Sequence, residues 1–180
     1  MNIGTLFSKV NRRLSNIERF NNTPRIHKES VAEHSYFVSF YVMVLSEMIP
    51  DIDVEKSIKL ALLHDIEEII SGDLPHTVKL KYPEFNDTLE KMNLLIVKEI
   101  FNDNKYIDLW KEVRLLNTKE SKLVHLADMI SVLLYTRDEI KMGNEFMEEI
   151  YNKERKYIGE FIEKYPEFKF VDKLGILEWK

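Results

Sequence analysis

Apolar residues recur along this chain at helical spacing. Leu6, Val10, Leu14 and Ile17 mark one face of a first helix over about residues 3–19. Ser30-Val31-Ala32-Glu33 reads as a capping box that opens a second helix ending before Pro50. Asp53 caps a third that runs to Gly72, a natural left-handed terminator. Gly72 to His76 is then a loop. A fourth helix follows Pro83, with a short one around residues 105–114. Asn117 or Thr118 opens a long helix reaching about Met142, and Gly143-Asn144 breaks it. A final acidic helix spans roughly 146–165, and the pattern assigns nothing to 166–180. No glycine or proline falls between Pro83 and Gly143, and no alternating strand pattern or Asn-Gly hairpin signal competes. The expected fold is all-α, a bundle of six or seven helices.

The chain has 180 residues, enough for one domain with an ordinary core. Residues 1–180 are therefore expected to form a single domain. Residues 1–28 carry six positive charges against Glu18 alone, a local +5, whereas the whole chain is at −5. That balance argues against a nucleic-acid binder and leaves the basic segment either as a solvated face or as a recognition site for a small anion. The most apolar stretch, Tyr36 to Leu45, is too short to cross a bilayer, and no secretory pattern opens the chain. The expectation is a cytoplasmic protein with no membrane partner.

Cysteine is absent, which removes disulfides, thiolate-held metals and thiol catalysis. Any metal must be held by oxygen and by five histidines: His27, His34, His64, His76 and His125. Three helices are apolar enough to be central, and each has ionisable groups in or beside its apolar run: His34, then His64-Asp65, then His125 and Asp128. Buried carboxylates without a partner are costly, and a divalent cation is one way to keep two of them charged. Glu68 follows Asp65 by three and His64 by four, so a continuous helix puts it on their face. Asp73 stands just beyond the helix-ending Gly72.

The set His34, His64-Asp65 and Asp128 resembles the His…His-Asp…Asp pattern of the HD-domain metal-dependent phosphohydrolases. Val31-Ala32-Glu33-His34-Ser35, His64-Asp65-Ile66-Glu67-Glu68, Gly72-Asp73-Leu74-Pro75, Ala127-Asp128 and Gly143-Asn144-Glu145-Phe146 are most similar to the YfbR-like 5′-deoxynucleotidase branch. The match covers about residues 15–150. The resemblance implies that His34, His64, Asp65 and Asp128 ligate one divalent transition metal. A two-nitrogen, two-oxygen set suits Mn, Co, Fe, Ni or Zn.

The resemblance further implies phosphate contact by Arg19, with Glu68 and Asp73 as catalytic and substrate-contacting acids. Phe20 stands where the branch usually has Trp, and His76-Thr77 where it usually has Thr after Leu-Pro, so Phe20, His76 and Thr77 are expected substrate contacts. His125 is a structural or supporting residue, and His27, Arg12, Arg13 and Arg25 are surface groups. The implied activity is hydrolysis of a deoxynucleoside 5′-monophosphate by water activated at the metal. Other phosphohydrolase activities, on nucleoside triphosphates or a guanosine tetraphosphate-type alarmone, are the nearest alternatives, and a non-catalytic sensor is the next. A homodimer is implied as well. The tail, with Phe168, Phe170, Val171, Ile176, Leu177 and Trp179, offers apolar material for that contact or for folding back on its own chain.

Overall fold

The computed structural model describes residues 3–75 and 81–178. Among these residues there are eight α-helices and no strand beyond one isolated antiparallel bridge between Glu18 and Ser30. The helices are α1 (Ile3–Val10), α2 (Val31–Ser46), α3 (Val54–Leu63), α4 (Glu68–Ser71), α5 (Asn86–Phe101), α6 (Asn104–Leu115), α7 (Lys119–Lys141) and α8 (Glu148–Lys164). The all-α expectation holds.

Local chemistry sets most of the boundaries. Ser30 and Glu33 form the full capping box of α2, with the Glu33 amide donating to the Ser30 hydroxyl at 3.2 Å and the Ser30 amide donating to Glu33 at 2.7 Å. Asp53 accepts from the Lys56 amide at 2.9 Å to cap α3. Thr118 and Ser121 cap α7 reciprocally. Helix α5 stops where Asn102 turns left-handed at φ 45°, a conformation asparagine tolerates better than most residues.

Two expected helices are cut short. The first ends at Val10, not near residue 19. Arg12 turns to φ 52°, Leu14–Asn16 make one 3₁₀ turn, and the chain then runs extended. The reason lies in its partner. The Arg19 amide donates to the Glu29 carbonyl and the Val31 amide to the Ile17 carbonyl, both at 2.9 Å, so residues 17–30 close into a strap. The third helix ends at Leu63, and His64–Glu67 form a turn before the single turn of α4.

The principal core lies between α2, α3, α7 and α8, around Val38, Val42, Leu60, Leu123, Leu126, Leu133 and Ile158. A second cluster joins Ile66 of the turn to Ile96, Ile100, Ile107 and Trp110 of α5 and α6, and Leu6, Val10 and Leu14 pack on it. The tail folds back on its own chain. Pro166–Leu174 form a 3₁₀ segment whose Phe168 and Val171 are fully buried in the principal core, with Phe170, Ile176 and Leu177 packed against it. Trp179 lies outside the described residues. Among the described residues, no helix is long and apolar enough to cross a membrane.

Candidate metal centre and phosphate site

Helix α2 turns His34 toward the core beside Val31, Val38 and Val42, and the imidazole is fully buried. His64 ends α3, and the turn that follows swings Asp65 back toward it. From the middle of α7, Asp128 reaches the same point. Nε2 of His34 lies 3.2 Å from Nε2 of His64 and 3.1 Å from Oδ1 of Asp128. Asp65 Oδ2 is 3.0 Å from His64 Nε2 and 3.7 Å from His34 Nε2. The donor atoms of His34, His64 and Asp65 all fall within 4.8 Å of one another. Three separate elements thus bring the four sequence-derived candidates together.

The electrostatics of this group favour a cation. Two imidazole nitrogens 3.2 Å apart, each against a carboxylate oxygen, converge on a point suited to positive charge. Burial works against a proton on His64, but Asp65 outweighs it and holds the imidazole up at about 9. Burial and the neighbouring Arg19 depress His34 to about 4. Burial would raise both aspartates, yet the histidines hold Asp65 and Asp128 well below the usual carboxylate range. His64 Nδ1 donates to the Ala61 carbonyl at 2.7 Å, which leaves Nε2 as the nitrogen that faces the group and would ligate a cation. Two imidazoles and two carboxylates in this disposition fit a divalent transition cation.

Arg19 projects from the strap into the site. Its NH1 is 2.8 Å from both Glu29 Oε2 and His34 Nδ1. Phe20, left-handed at φ 52°, stacks on Tyr135 of α7 at 4.9 Å and an interplanar angle of 6°. Its amide donates to Asp73 Oδ2 at 3.2 Å, so the strap and the loop after Gly72 are tied together. Glu68 opens α4 as the first residue after the turn, not as part of one long helix face. Its Oε2 is buried without a hydrogen-bond partner among the described residues, and burial, with Asp65 and Asp73 nearby, pushes the carboxyl up to about 10. His76 and Thr77 lie outside the described residues. His125 stands apart from the metal group, its ring 5.5 Å from that of Phe161, and burial lowers its pKa. His27 is exposed.

The partners of several supporting residues have no signal in the sequence pattern. Glu67, almost fully buried, accepts from Trp110 Nε1 at 2.7 Å and pairs with Arg114, whose guanidinium also donates to the His64 carbonyl at 2.9 Å. Helix α6 therefore clamps the turn that carries His64 and Asp65. Ser131, one turn after Asp128, is 3.2 Å from His34 Nδ1. The strap is held from behind by buried Glu139, which accepts from the Ile26 amide at 2.7 Å and the His27 amide at 2.5 Å. Asn144 braces it through a 2.9 Å bond to the Pro24 carbonyl, which gives the residue after Gly143 a structural reason. Arg25 is likewise a brace, paired with Glu18 at 2.5 Å and bonded to the Arg19 carbonyl.

Comparison with known proteins agrees with this architecture. A 5′-deoxynucleotidase of Photorhabdus laumondii is 27% identical over 143 residues, covering 73% of this chain and 72% of that protein. A solved HD-domain phosphohydrolase from Listeria innocua superposes with a TM-score of 0.79 at 24% identity, covering 100% of this chain and 92% of the other. The cyanophage S-2L HD phosphohydrolase DatZ, solved with dA and one catalytic Zn²⁺ ion, superposes with a TM-score of 0.69 at 19% identity, covering 96% of each chain. The family model described as HD domain matches residues 12–166, from the strap through α8, and the chain accordingly belongs to the HD domain family of metal-dependent phosphohydrolases.

Proposed function

We propose that the protein is a 5′-deoxynucleotidase, which hydrolyses a deoxynucleoside 5′-monophosphate to the deoxynucleoside and inorganic phosphate. The observation that carries this reading is the placement of a largely enclosed guanidinium, Arg19, against His34 of the group formed with His64, Asp65 and Asp128. The deoxynucleotidase relative and the dA-bound DatZ support the choice of substrate.

His34, His64, Asp65 and Asp128 would hold the divalent cation, with Mn, Co, Fe, Ni and Zn all suited to the donor set. A divalent cation held there would make a nearby water more acidic and would screen the charge of the phosphoryl group. Arg19 binds two nonbridging oxygens through its planar fork, which holds the phosphorus in line with the attacking water. Glu68 takes the proton of the attacking water, and positive charge held beside Asp65 would lower the Glu68 pKa toward a range where it can do so. Asp73, bound to the strap through the Phe20 amide, meets the sugar hydroxyl or the departing oxygen. Phe20, stacked on Tyr135, would meet the substrate, and substrate contact by His76 and Thr77 is part of the same reading. A cytoplasmic location, a single domain and a homodimer belong to the same proposal.

Phosphate release from each deoxynucleoside monophosphate, with Mn, Co or Zn supplied, tests it. Turnover of monophosphates and not of triphosphates is the expected result. Activity confined to triphosphates, or none with any of these metals, would overturn it.

A further inference from the structure

Arg19 and Glu29 stand opposite each other across the strap. Glu18 and Ser30 form its antiparallel bridge, and at the next pair the Arg19 amide donates to the Glu29 carbonyl at 2.9 Å. Opposed residues of an antiparallel pair set their side chains side by side on one face. Here the two side chains meet as a 2.8 Å ion pair, only 12% and 7% exposed, on the face turned to His34. Alternation puts Glu18, with its partners Arg25 and Lys28, on the other face.

Closing the strap does not require this pair. Two apolar side chains of similar volume would close it as well, because an enclosed ion pair gives back much of its attraction in lost hydration. The backbone bonds of the strap fix the Arg19 main chain and leave its long side chain to find its own orientation. A guanidinium that must meet phosphate in one geometry needs a partner to hold it there. Glu29 supplies that partner from a fixed origin. It immediately precedes Ser30, whose reciprocal bonds with Glu33 anchor the start of α2, and His34 lies one turn beyond that cap. The start of α2 therefore sets both His34 and, through Glu29, the guanidinium. Among the described residues, both hydrogen bonds to the guanidinium fall on NH1, at Glu29 and His34, which leaves the edge formed by Nε and NH2 for phosphate.

We propose that Glu29 is a positioning residue for phosphate recognition. It holds the Arg19 fork at a set place relative to the His34, His64, Asp65 and Asp128 group and does not itself touch the substrate. The inference rests on the reading of Arg19 as the phosphate ligand and names the group through which that ligand is aimed.

A double-mutant cycle on the full chain tests it, with Glu29→Ala and Glu29→Gln each made alone and together with Arg19→Ala. Two readouts are taken on Mn-loaded protein: calorimetric binding of inorganic phosphate, and kcat and KM for deoxynucleoside monophosphates. Glu29→Ala is expected to weaken phosphate binding and to lower kcat/KM by about 10–100-fold, the scale of a reacting group displaced by about 1 Å. Glu29→Gln keeps an oxygen acceptor for NH1 and should recover most of that loss. With Arg19 already removed, Glu29→Ala should change neither readout by more than about twofold. A merely structural Glu29 would cost the same in both backgrounds, so equal losses overturn the proposal, as does a Glu29→Ala protein that binds phosphate like the parent. Circular dichroism accompanies every variant. Should Glu29→Ala fail to fold, Glu29→Asp takes its place in the cycle, because it keeps the charge and draws the carboxylate back by one methylene; the same dependence on Arg19 is expected. A parent that binds phosphate but turns over no monophosphate overturns the nucleotidase reading, and the binding cycle still decides Glu29. A parent that binds no phosphate overturns both.

Discussion

Nδ1 of His34 accepts a hydrogen bond from the Arg19 guanidinium at 2.8 Å. A guanidinium has only donors, so this nitrogen carries the lone pair and Nε2 carries the proton, aimed at Asp128. Were a cation held at Nε2, the proton would move to Nδ1, where Ser131 Oγ at 3.2 Å could accept it. Arg19 then loses His34 as a partner and keeps Glu29, which leaves part of its fork for phosphate.

Replacing Arg19 with Ala is therefore expected to lower kcat/KM by about 10²–10³, the usual loss for one preorganised donor to developing charge. Arg19→Lys should recover little, because an ammonium keeps the charge and not the fork. Metal affinity should be undiminished in both. Steady-state kinetics with a parallel metal titration checks this, and a fall in affinity that accounts for the lost rate would move Arg19 from the phosphate to the metal.

Glu68 is expected to tolerate neutralisation structurally and not functionally. Its buried Oε2 has no hydrogen-bond partner among the described residues, and its surroundings already favour the uncharged carboxyl. Glu68→Gln should stay within about 1 kcal/mol of parental stability. If Glu68 takes the proton of the attacking water, turnover should fall about 10²–10⁴-fold with metal content unchanged. Thermal unfolding, metal analysis and phosphate release separate the three effects. Parental turnover would remove Glu68 from the proton path.

How much of this was legible in the sequence depends on the range of the interaction. The caps at Ser30, Asp53 and Thr118 are local, and each appears where the sequence puts it. The HD-type ligand candidates are visible as polar residues inside apolar runs, and they do converge. What the periodicity misreads is decided by partners distant along the chain. The run Leu6, Val10, Leu14, Ile17 continues a helical period, but pairing of Ile17 to Arg19 with Glu29 to Val31 pulls the segment extended and aims Arg19 at His34. Helical spacing also runs straight through His64 to Ile70, and there Trp110 and Arg114, more than forty residues away, hold Glu67 in a turn. Nothing near Glu67 announces them.

That clamp makes a stability prediction. Glu67 is buried against Trp110 and the part-exposed Arg114, so Glu67→Ala leaves the Trp110 Nε1–H and the guanidinium without their carboxylate and should cost about 1–3 kcal/mol. Removing both charges, as in Glu67→Leu with Arg114→Met, should cost less than the sum of the single changes. Denaturant unfolding of the four proteins gives the coupling directly. Additive costs would mean that the pair does not hold the turn.

Glu154 provides the pH test. It lies on the inward side of α8 between buried Tyr151 and Ile158, and burial, reinforced by Asp128 and opposed by Arg19, pushes its carboxyl up to about 8. The folded chain therefore holds a proton there that the unfolded chain has released once the pH passes the ordinary glutamate range. Stability contributed at this position is full at low pH and declines as the pH rises toward about 8, beyond which both states are ionised and the decline stops. Glu154→Gln should flatten that slope and leave the variant more stable than the parent at pH 9, by on the order of 1–3 kcal/mol. The measurement is urea unfolding from pH 5 to 9 in the presence of a chelator, because a cation beside Asp128 would lower the Glu154 pKa. An unchanged slope in the variant would show that Glu154 ionises at an ordinary pH and is more open to water than its place on α8 implies.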